Sequence, residues 1–346
     1  MGVLNHKKLY GDVSFLLKKI ESSQYQPKTI NFNELSKIPI LTRSGLRDTK
    51  MERGFASTKT SGSTGEPLVI EKTYEDHVWF IATNILDIRW RKWDVTKNIA
   101  IINAAANEDV FDNWSIPHNI EPIQGKMYTN GHKTLSELQS WLEEVNPHYI
   151  SCYPSIIKHI DTSKISNFID WKGTGELGGT CYSSNECGVI ALQCPSNNGK
   201  YHVMDNHIVE VDTDGGMLIT TLTNPYIRRY KHGDHIELGE CDCGRTSQVI
   251  SKIHGRVRNM FIMPNGDKKW PLIGSLEYSN FGIKQFKATQ TTINDLVLEI
   301  ICKNLLEKEK ELISLVQEML GTPINVTIKY VDSFPNYKFE EFISLV

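Results

Sequence analysis

The chain has 346 residues, 40% of them hydrophobic and 23% charged, with a formal net charge of −3. That is an ordinary globular composition with room for one large and one small domain, and its near balance of charge supplies no basic footprint for nucleic acid. The longest apolar run, at residues 78–88, is broken by Asn84 and Asp87, short of the ~20 apolar residues of a membrane helix.

Residues 1–56 read as a helical lead-in, with Leu16, Leu17 and Ile20 at helical spacing, and contain the short segment Pro39-Ile40-Leu41-Thr42-Arg43. The stretch Lys59-Thr60-Ser61-Gly62-Ser63-Thr64-Gly65-Glu66-Pro67 follows. Its glycines let the backbone turn sharply and approach a ligand, its N–H groups can form a concave anion site, and its hydroxyls add donors. It therefore predicts a phosphate loop; taken by itself it also reads as a serine- and glycine-rich linker. Gly65 is followed by Glu66-Pro67, so the Gly-Lys-Ser/Thr ending of a kinase-type loop is absent.

Downstream, Leu68-Val69-Ile70 reads as a strand, and Thr73 with Asp76 forms an imperfect capping box for a helix to about Trp90. Ile99–Ile102 and Tyr149–Cys152 read as buried strands. Thr134 with Glu137 opens a helix through Val145, and Pro154-Ser155 starts a short one. This alternation predicts a mostly parallel, layered sheet. Ile208–Val211 and Met217–Leu222 are joined by the hairpin turn Asp212-Thr213-Asp214-Gly215-Gly216. After residue 260 the pattern becomes strand, helix, strand: Leu296–Ile301, Leu305–Leu320, Ile324–Val331. The fold class expected is α/β: a large layered α/β N-terminal domain over 1–257 and a small α+β C-terminal domain over 258–346.

Five motifs come in a fixed order after the loop: Tyr182-Ser183-Ser184-Asn185-Glu186-Cys187-Gly188, Thr220–Pro225, Arg228-Arg229-Tyr230-Lys231-His232-Gly233-Asp234, Cys241-Asp242-Cys243-Gly244 and Gly255-Arg256-Val257-Arg258-Asn259. Together they resemble the adenylate-forming superfamily, and within it the phenylacetate–coenzyme A ligase branch with its capsule-biosynthesis relatives, from about residue 57 to 263. The resemblance implies activation of a carboxylic acid by ATP to an acyl-adenylate, with release of pyrophosphate. The acyl group then passes to a thiol, that of coenzyme A or of a carrier-protein phosphopantetheine; the acid is an aryl or small amino acid by analogy. An enzyme that passes the acyl group to an amine, or a non-catalytic nucleotide-binding homologue, are the alternatives. The family's lead-in is longer, and its segment before the Tyr182 motif carries a Gly-Glu turn, helix and strand where this chain has only 173–179, with Glu176 at the turn.

By the same resemblance, Thr60, Ser61, Gly62, Ser63, Thr64 and Gly65 hold the β- and γ-phosphates. Tyr182, with Ser183 beside it, stacks on adenine, Asp234 takes the ribose hydroxyls, and Arg229 serves beside it. Glu186 is the Mg²⁺ ligand, a role that suits a carboxylate oxygen. Arg256 is the hinge arginine at ribose and phosphate, at the start of a mobile C-terminal lid. Lys338, in Phe334-Pro335-Asn336-Tyr337-Lys338-Phe339, stabilises charge at the α-phosphate. The acid pocket falls on residues 104–108 and Trp114. Cys194, His202, Cys241 and Cys243 resemble the zinc ligands of the phenylacetate-ligase branch; three thiolates and an imidazole suit a closed structural zinc site, and unrelated cysteines are the alternative. The first residues carry no signal-peptide core, so seven cysteines predict a reducing, cytoplasmic setting with thiols or metal ligands rather than disulfides.

Overall fold

The computed structural model describes residues 6–21, 32–59, 68–103, 106–114, 124–131, 135–173, 179–256, 261–264, 266, 268–269, 281–302, 305, 308–334 and 342–346. They fall in two compact units, Met1–His232 with Ile236–Ile253, and Gly233–His235 with His254–Val346.

In the first unit, helices α1 (His6–Glu21), α2 (Phe32–Leu35) and α3 (Arg43–Asp48) form the lead-in. Leu9, Val13, Leu16 and Leu17 recur at the spacing of one helical face, and all four are buried against Val78, Trp79, Ala82, Ile85 and Leu86 of α4 (Tyr74–Trp90). Each such aliphatic side chain contributes roughly 1.5–3 kcal/mol when fully buried, so this face fixes the lead-in to the body. The hairpin of β1 (Ala56–Lys59) and β2 (Val69–Lys72) precedes α4.

A five-stranded sheet is built from β3 (Ile99–Ile102), β4 (Asp109–Phe111), β5 (Met127–Asn130), β6 (Tyr149–Cys152) and β7 (Asp170–Gly173), in the order β4-β5-β3-β6-β7. It is parallel except at its edge strand β4. Helices α5 (Leu135–Val145) and α6 (Pro154–Ile157) lie between its strands in sequence, as a parallel crossover requires.

The second sheet is built from hairpin connections, as the turn at residues 212–216 predicts, and not from crossovers. Its strands are β8 (Cys181–Ser184), β9 (Gly188–Gln193), β10 (Tyr201–Val203), β11 (His207–Val211), β12 (Gly216–Thr221), β13 (Tyr230–Gly239) and β14 (Val249–Arg256), in the order β11-β12-β13-β14-β10-β9-β8. The pairs β8/β9, β9/β10, β10/β14 and β11/β12 are antiparallel. The connections are too short for crossovers: β11 and β12 are joined by a turn in which Gly215, at φ 81°, donates to the Asp212 carbonyl at 2.9 Å. A core of Ile190, Ala191, Val209, Ile219, Tyr230 and Ile250 lies under this sheet.

The second unit holds the short pair β15 (Phe261–Ile262) and β16 (Lys268–Lys269), and a four-stranded sheet of β17 (Ile283–Thr292), β18 (Asp295–Cys302), β19 (Asn325–Tyr330) and β20 (Phe342–Ser344) in the order β19-β18-β17-β20. Alternate residues Leu296, Leu298 and Ile300 are fully buried with Leu312, Val316 and Leu320 of α7 (Glu309–Leu320). The helix ends at Gly321 in the left-handed conformation, whose N–H closes on the Gln317 and Glu318 carbonyls.

Candidate functional site

The residues of the expected phosphate loop, Thr60, Ser61, Gly62, Ser63, Thr64 and Gly65, lie outside the described residues, but the strands on either side of them are described. Lys59 pairs with Val69 at the mouth of the β1/β2 hairpin. Thr58 Oγ1 donates to the Asn185 carbonyl at 3.1 Å, and Lys72 Nζ donates to the Glu186 carbonyl at 2.5 Å. The two stems are thereby tied to the turn between β8 and β9, which carries Glu186. Burial lowers the pKa of Lys72.

The Glu186 carboxylate is mostly buried. Its Oε1 accepts from Arg43 Nη1 at 2.8 Å and from the buried Tyr230 hydroxyl at 3.5 Å. Arg43 opens α3, whose start is set by Thr42: the Thr42 hydroxyl accepts from Gly45 N–H. Leu41 bridges to Tyr230 in parallel and exchanges main-chain bonds with Arg229 and Lys231. Nothing in the spacing of the sequence relates residue 43 to residue 186; only the fold reveals Arg43.

The Thr220–Pro225 motif acts as an anchor. The Asp76 carboxylate accepts from Thr73 N–H at 3.0 Å, from Asn224 Nδ2 at 2.9 Å and from the Thr223 hydroxyl. Asn224 also donates to the Glu71 carbonyl at 3.0 Å. Strand β2 is thus locked to the segment after β12 at its junction with α4.

Tyr182 lies on β8, half-buried, its hydroxyl 3.4 Å from His232 Nδ1 and its ring edge-on to His232. Ser183 follows it across a register shift in the β8/β9 ladder, a bulge that re-aims the two side chains. Asp234 is buried on β13. Arg229, expected beside the nucleotide, has its guanidinium engaged elsewhere. It bonds Glu210 Oε2 at 3.1 Å and the carbonyls of Ser36 and Ile38 at 3.1 and 2.8 Å, which makes it a clamp on the lead-in. Arg256 is the last residue of β14, and Lys338 lies outside the described residues.

Trp114, expected at the acid pocket, belongs to the core instead. It is buried, packs edge-on against Trp93 and Tyr149, and its indole N–H donates to the Lys97 carbonyl at 3.0 Å. Glu176 and residues 104–105 lie outside the described residues.

Away from Glu186, Cys194, His202, Cys241 and Cys243 converge, with their ligand atoms all within 4.8 Å of one another. Cys194 follows β9, its N–H closing the loop back to the Lys200 carbonyl, His202 is fully buried on β10, and the other two cysteines sit in the turn between β13 and β14. Cys194 and Cys241 sulfurs are 3.8 Å apart, and Cys243 Sγ is 3.2 Å from His202 Nε2. Tetrahedral thiolates at the usual ~2.3 Å from zinc stand roughly 3.8 Å from each other, so the cluster has the right size as it stands. Three further contacts prepare it. Ser247 Oγ engages His202 Nδ1 at 3.1 Å, leaving Nε2 to face the thiols. Asn197 Nδ2 donates to Cys241 Sγ at 3.2 Å, and Arg245 Nη1 to Cys243 Sγ at 3.4 Å. Against the desolvation that would raise it, the Arg245 N–H groups draw the Cys243 thiol down to about 7. The Arg245 guanidinium is itself held over the Trp90 ring, 4.2 Å from its centroid.

No family model matches the chain, and no curated protein matches it. Solved structures do. The chain superposes on a 2-hydroxyisobutyryl-CoA ligase, in the postadenylation state with its acyl-AMP, with a TM-score of 0.64 at 17% identity, covering 98% of this chain and 89% of that one. An open conformation of the same ligase with acyl-AMP and CoA gives a TM-score of 0.51 at 17% identity over 98% and 91%. The anthranilate CoA ligase AuaEII with anthranoyl-AMP gives 0.57 at 13% identity over 81% and 63%. The chain has the fold of the adenylate-forming acyl-CoA ligases.

Proposed function

We propose that the chain uses ATP to activate a small carboxylic acid. A carboxylate oxygen bonds to the α-phosphorus as the bond to pyrophosphate breaks; a thiol, that of coenzyme A, then attacks the acyl carbonyl and AMP leaves. The observation that carries this reading is the convergence of both phosphate-loop stems on the Glu186 turn, in a chain with the fold of ligases that make acyl-adenylates.

Each group has a place in that chemistry. Thr60, Ser61, Ser63 and Thr64 donate to the β- and γ-phosphates, Tyr182 stacks on adenine, and Asp234 accepts from the ribose hydroxyls. Bringing a carboxylate to a phosphate joins two anions, so cations are needed where charge develops; Arg256 and Lys338 supply them. Glu186 holds Mg²⁺, which when bound neutralises phosphate charge. A single carboxylate would suit Mg²⁺, a cation that usually binds through one or two carboxylates with waters and substrate phosphates. Cys194, His202, Cys241 and Cys243 hold a structural zinc ion that clips the 194–202 loop to the β13–β14 turn. Seven free cysteines fit a reducing, cytoplasmic setting, and among the described residues no helix is long and apolar enough to cross a membrane.

The test is a library of aryl, amino and short hydroxy acids, screened for acid-dependent pyrophosphate release and repeated with coenzyme A and with a phosphopantetheinyl carrier protein. One acid class should release pyrophosphate and give a thioester, and Lys338→Ala should cut the release by orders of magnitude while ATP still raises the melting temperature. A thermal shift with ATP but no pyrophosphate with any acid would make the chain a nucleotide binder instead.

A further inference from the structure

Two cationic side chains reach Glu186 from segments remote in sequence, and they do different things. Lys72 bonds the main-chain carbonyl of Glu186 and so holds the turn. Arg43 bonds the carboxylate itself, at Oε1, and so holds the charge. The Glu186 side chain is only 11% exposed, whereas that of Arg43 is 38% exposed. A nearly buried carboxylate is therefore balanced by a guanidinium that has water on its other side.

We propose that Arg43 is the resident counter-cation of Glu186, holding its carboxylate in place and giving up Oε1 when a divalent cation binds. The inference rests on the reading of Glu186 as the Mg²⁺ ligand. The physical argument has three steps. A buried carboxylate without a partner is costly, so it needs a cation before the metal arrives. A guanidinium and a divalent ion on one carboxylate repel each other, so the two compete for it. The exposed side of Arg43 lets its guanidinium regain water as it leaves the carboxylate, and the metal then supplies the charge that the buried carboxylate needs. Arg43 therefore sets the Mg²⁺ concentration at which the site fills: it lowers the affinity for the metal while keeping the metal-free turn folded. Lys72 bonds no carboxylate oxygen, and its charge beside Glu186 stays in place in every Arg43 variant.

The experiment is a Mg²⁺ titration at fixed ATP, read by melting temperature, on wild type, Arg43→Ala, Arg43→Gln and Glu186→Gln. Arg43→Ala should melt below wild type in EDTA, recover the difference as Mg²⁺ is added, and reach half-saturation at a several-fold lower Mg²⁺ concentration. Arg43→Gln, which keeps a hydrogen-bond donor without the charge, should shift the half-point the same way, and serves alone if the alanine variant does not fold. Glu186→Gln should abolish the response to Mg²⁺. A half-point unchanged or raised in the Arg43 variants, with Glu186→Gln still silent, overturns the role of Arg43 and leaves Glu186 as the metal ligand. A Glu186→Gln titration identical to wild type removes the metal from Glu186 and the inference with it.

Discussion

Ser247 is what suits His202 to the ligand role proposed for it. An imidazole can present either nitrogen, and the bond from Nδ1 to Ser247 Oγ settles that Nε2 faces the three thiols. Removing such an orienting partner typically costs 10–100-fold in metal affinity without removing a ligand. Ser247→Ala is accordingly expected to weaken zinc retention against a competing chelator by roughly that factor, whereas Cys243→Ser lowers both zinc content and melting temperature. Elemental analysis of the wild type should find about one zinc per chain, as a closed four-donor site implies; metal-free protein of unchanged stability would sink the assignment. At this scale the sequence is legible where chemistry is concentrated in few residue types. Cys241 and Cys243, one residue apart, stand out as a candidate ligand pair, and the resemblance adds Cys194 and His202 to them. Ser247, Asn197 and Arg245 do not stand out, because a serine, an asparagine and an arginine have many ordinary uses and gain this one only from where β10, the 194–200 loop and the β13–β14 turn bring them.

The start of α4 shows how one local signal can support more than one element. Thr73 and Asp76 form a complete capping box, and the same aspartate accepts from Thr223 and Asn224, which are 6% and 1% exposed. Asp76→Ala should therefore cost more than a cap. About 1 kcal/mol is expected for the cap, and about 1–3 kcal/mol for each buried donor left unpaired. Urea denaturation would measure the sum, and a loss under about 1 kcal/mol would show that water replaces the carboxylate. The periodic elements were legible for a physical reason: α1, β18 and α7 each bury one face, and burial leaves a period in the sequence, whereas β12 is buried along its whole length and is marked by its apolar run and the turn before it. Strand direction leaves no such period. The alternation of strands and helices marks the parallel first sheet, and the 212–216 turn marks the antiparallel β11/β12 pair, whereas the order of the remaining strands of the second sheet leaves no mark in the sequence.

Across the whole molecule, the motifs disclosed the ends of the argument and not the contacts between them. Tyr182, Glu186 and the phosphate loop could be picked out as a set, yet Arg43 and Lys72, which position Glu186, could not. Arg229 was placed at the nucleotide by its motif, while its partners Glu210, Ser36 and Ile38 are scattered through the chain. The same scattering hides the group that ties stability to pH. His207 lies on β11, 5% exposed, with Nε2 bonded to the Cys187 carbonyl at 3.1 Å; Nδ1 is buried and has no hydrogen-bond partner among the described residues. Burial is the main reason its pKa falls from 6.5 to about 4, since the charged ring would have to leave water. In the unfolded chain the ring takes its proton near 6.5 and in the folded chain only near 4, so in between the unfolded state binds more protons. Stability contributed by the neutral ring is therefore full above 6.5 and is lost as the pH falls through that window to about 4, by up to about 3 kcal/mol. His207→Gln keeps an amide donor for the Cys187 carbonyl and cannot take the proton. Its stability difference from wild type, followed by urea denaturation from neutral pH downwards, should change in its favour across the window and level off near pH 4. Other groups titrate equally in both proteins and cancel, so a difference that stays constant would mean that His207 takes its proton at the same pH in the folded as in the unfolded chain.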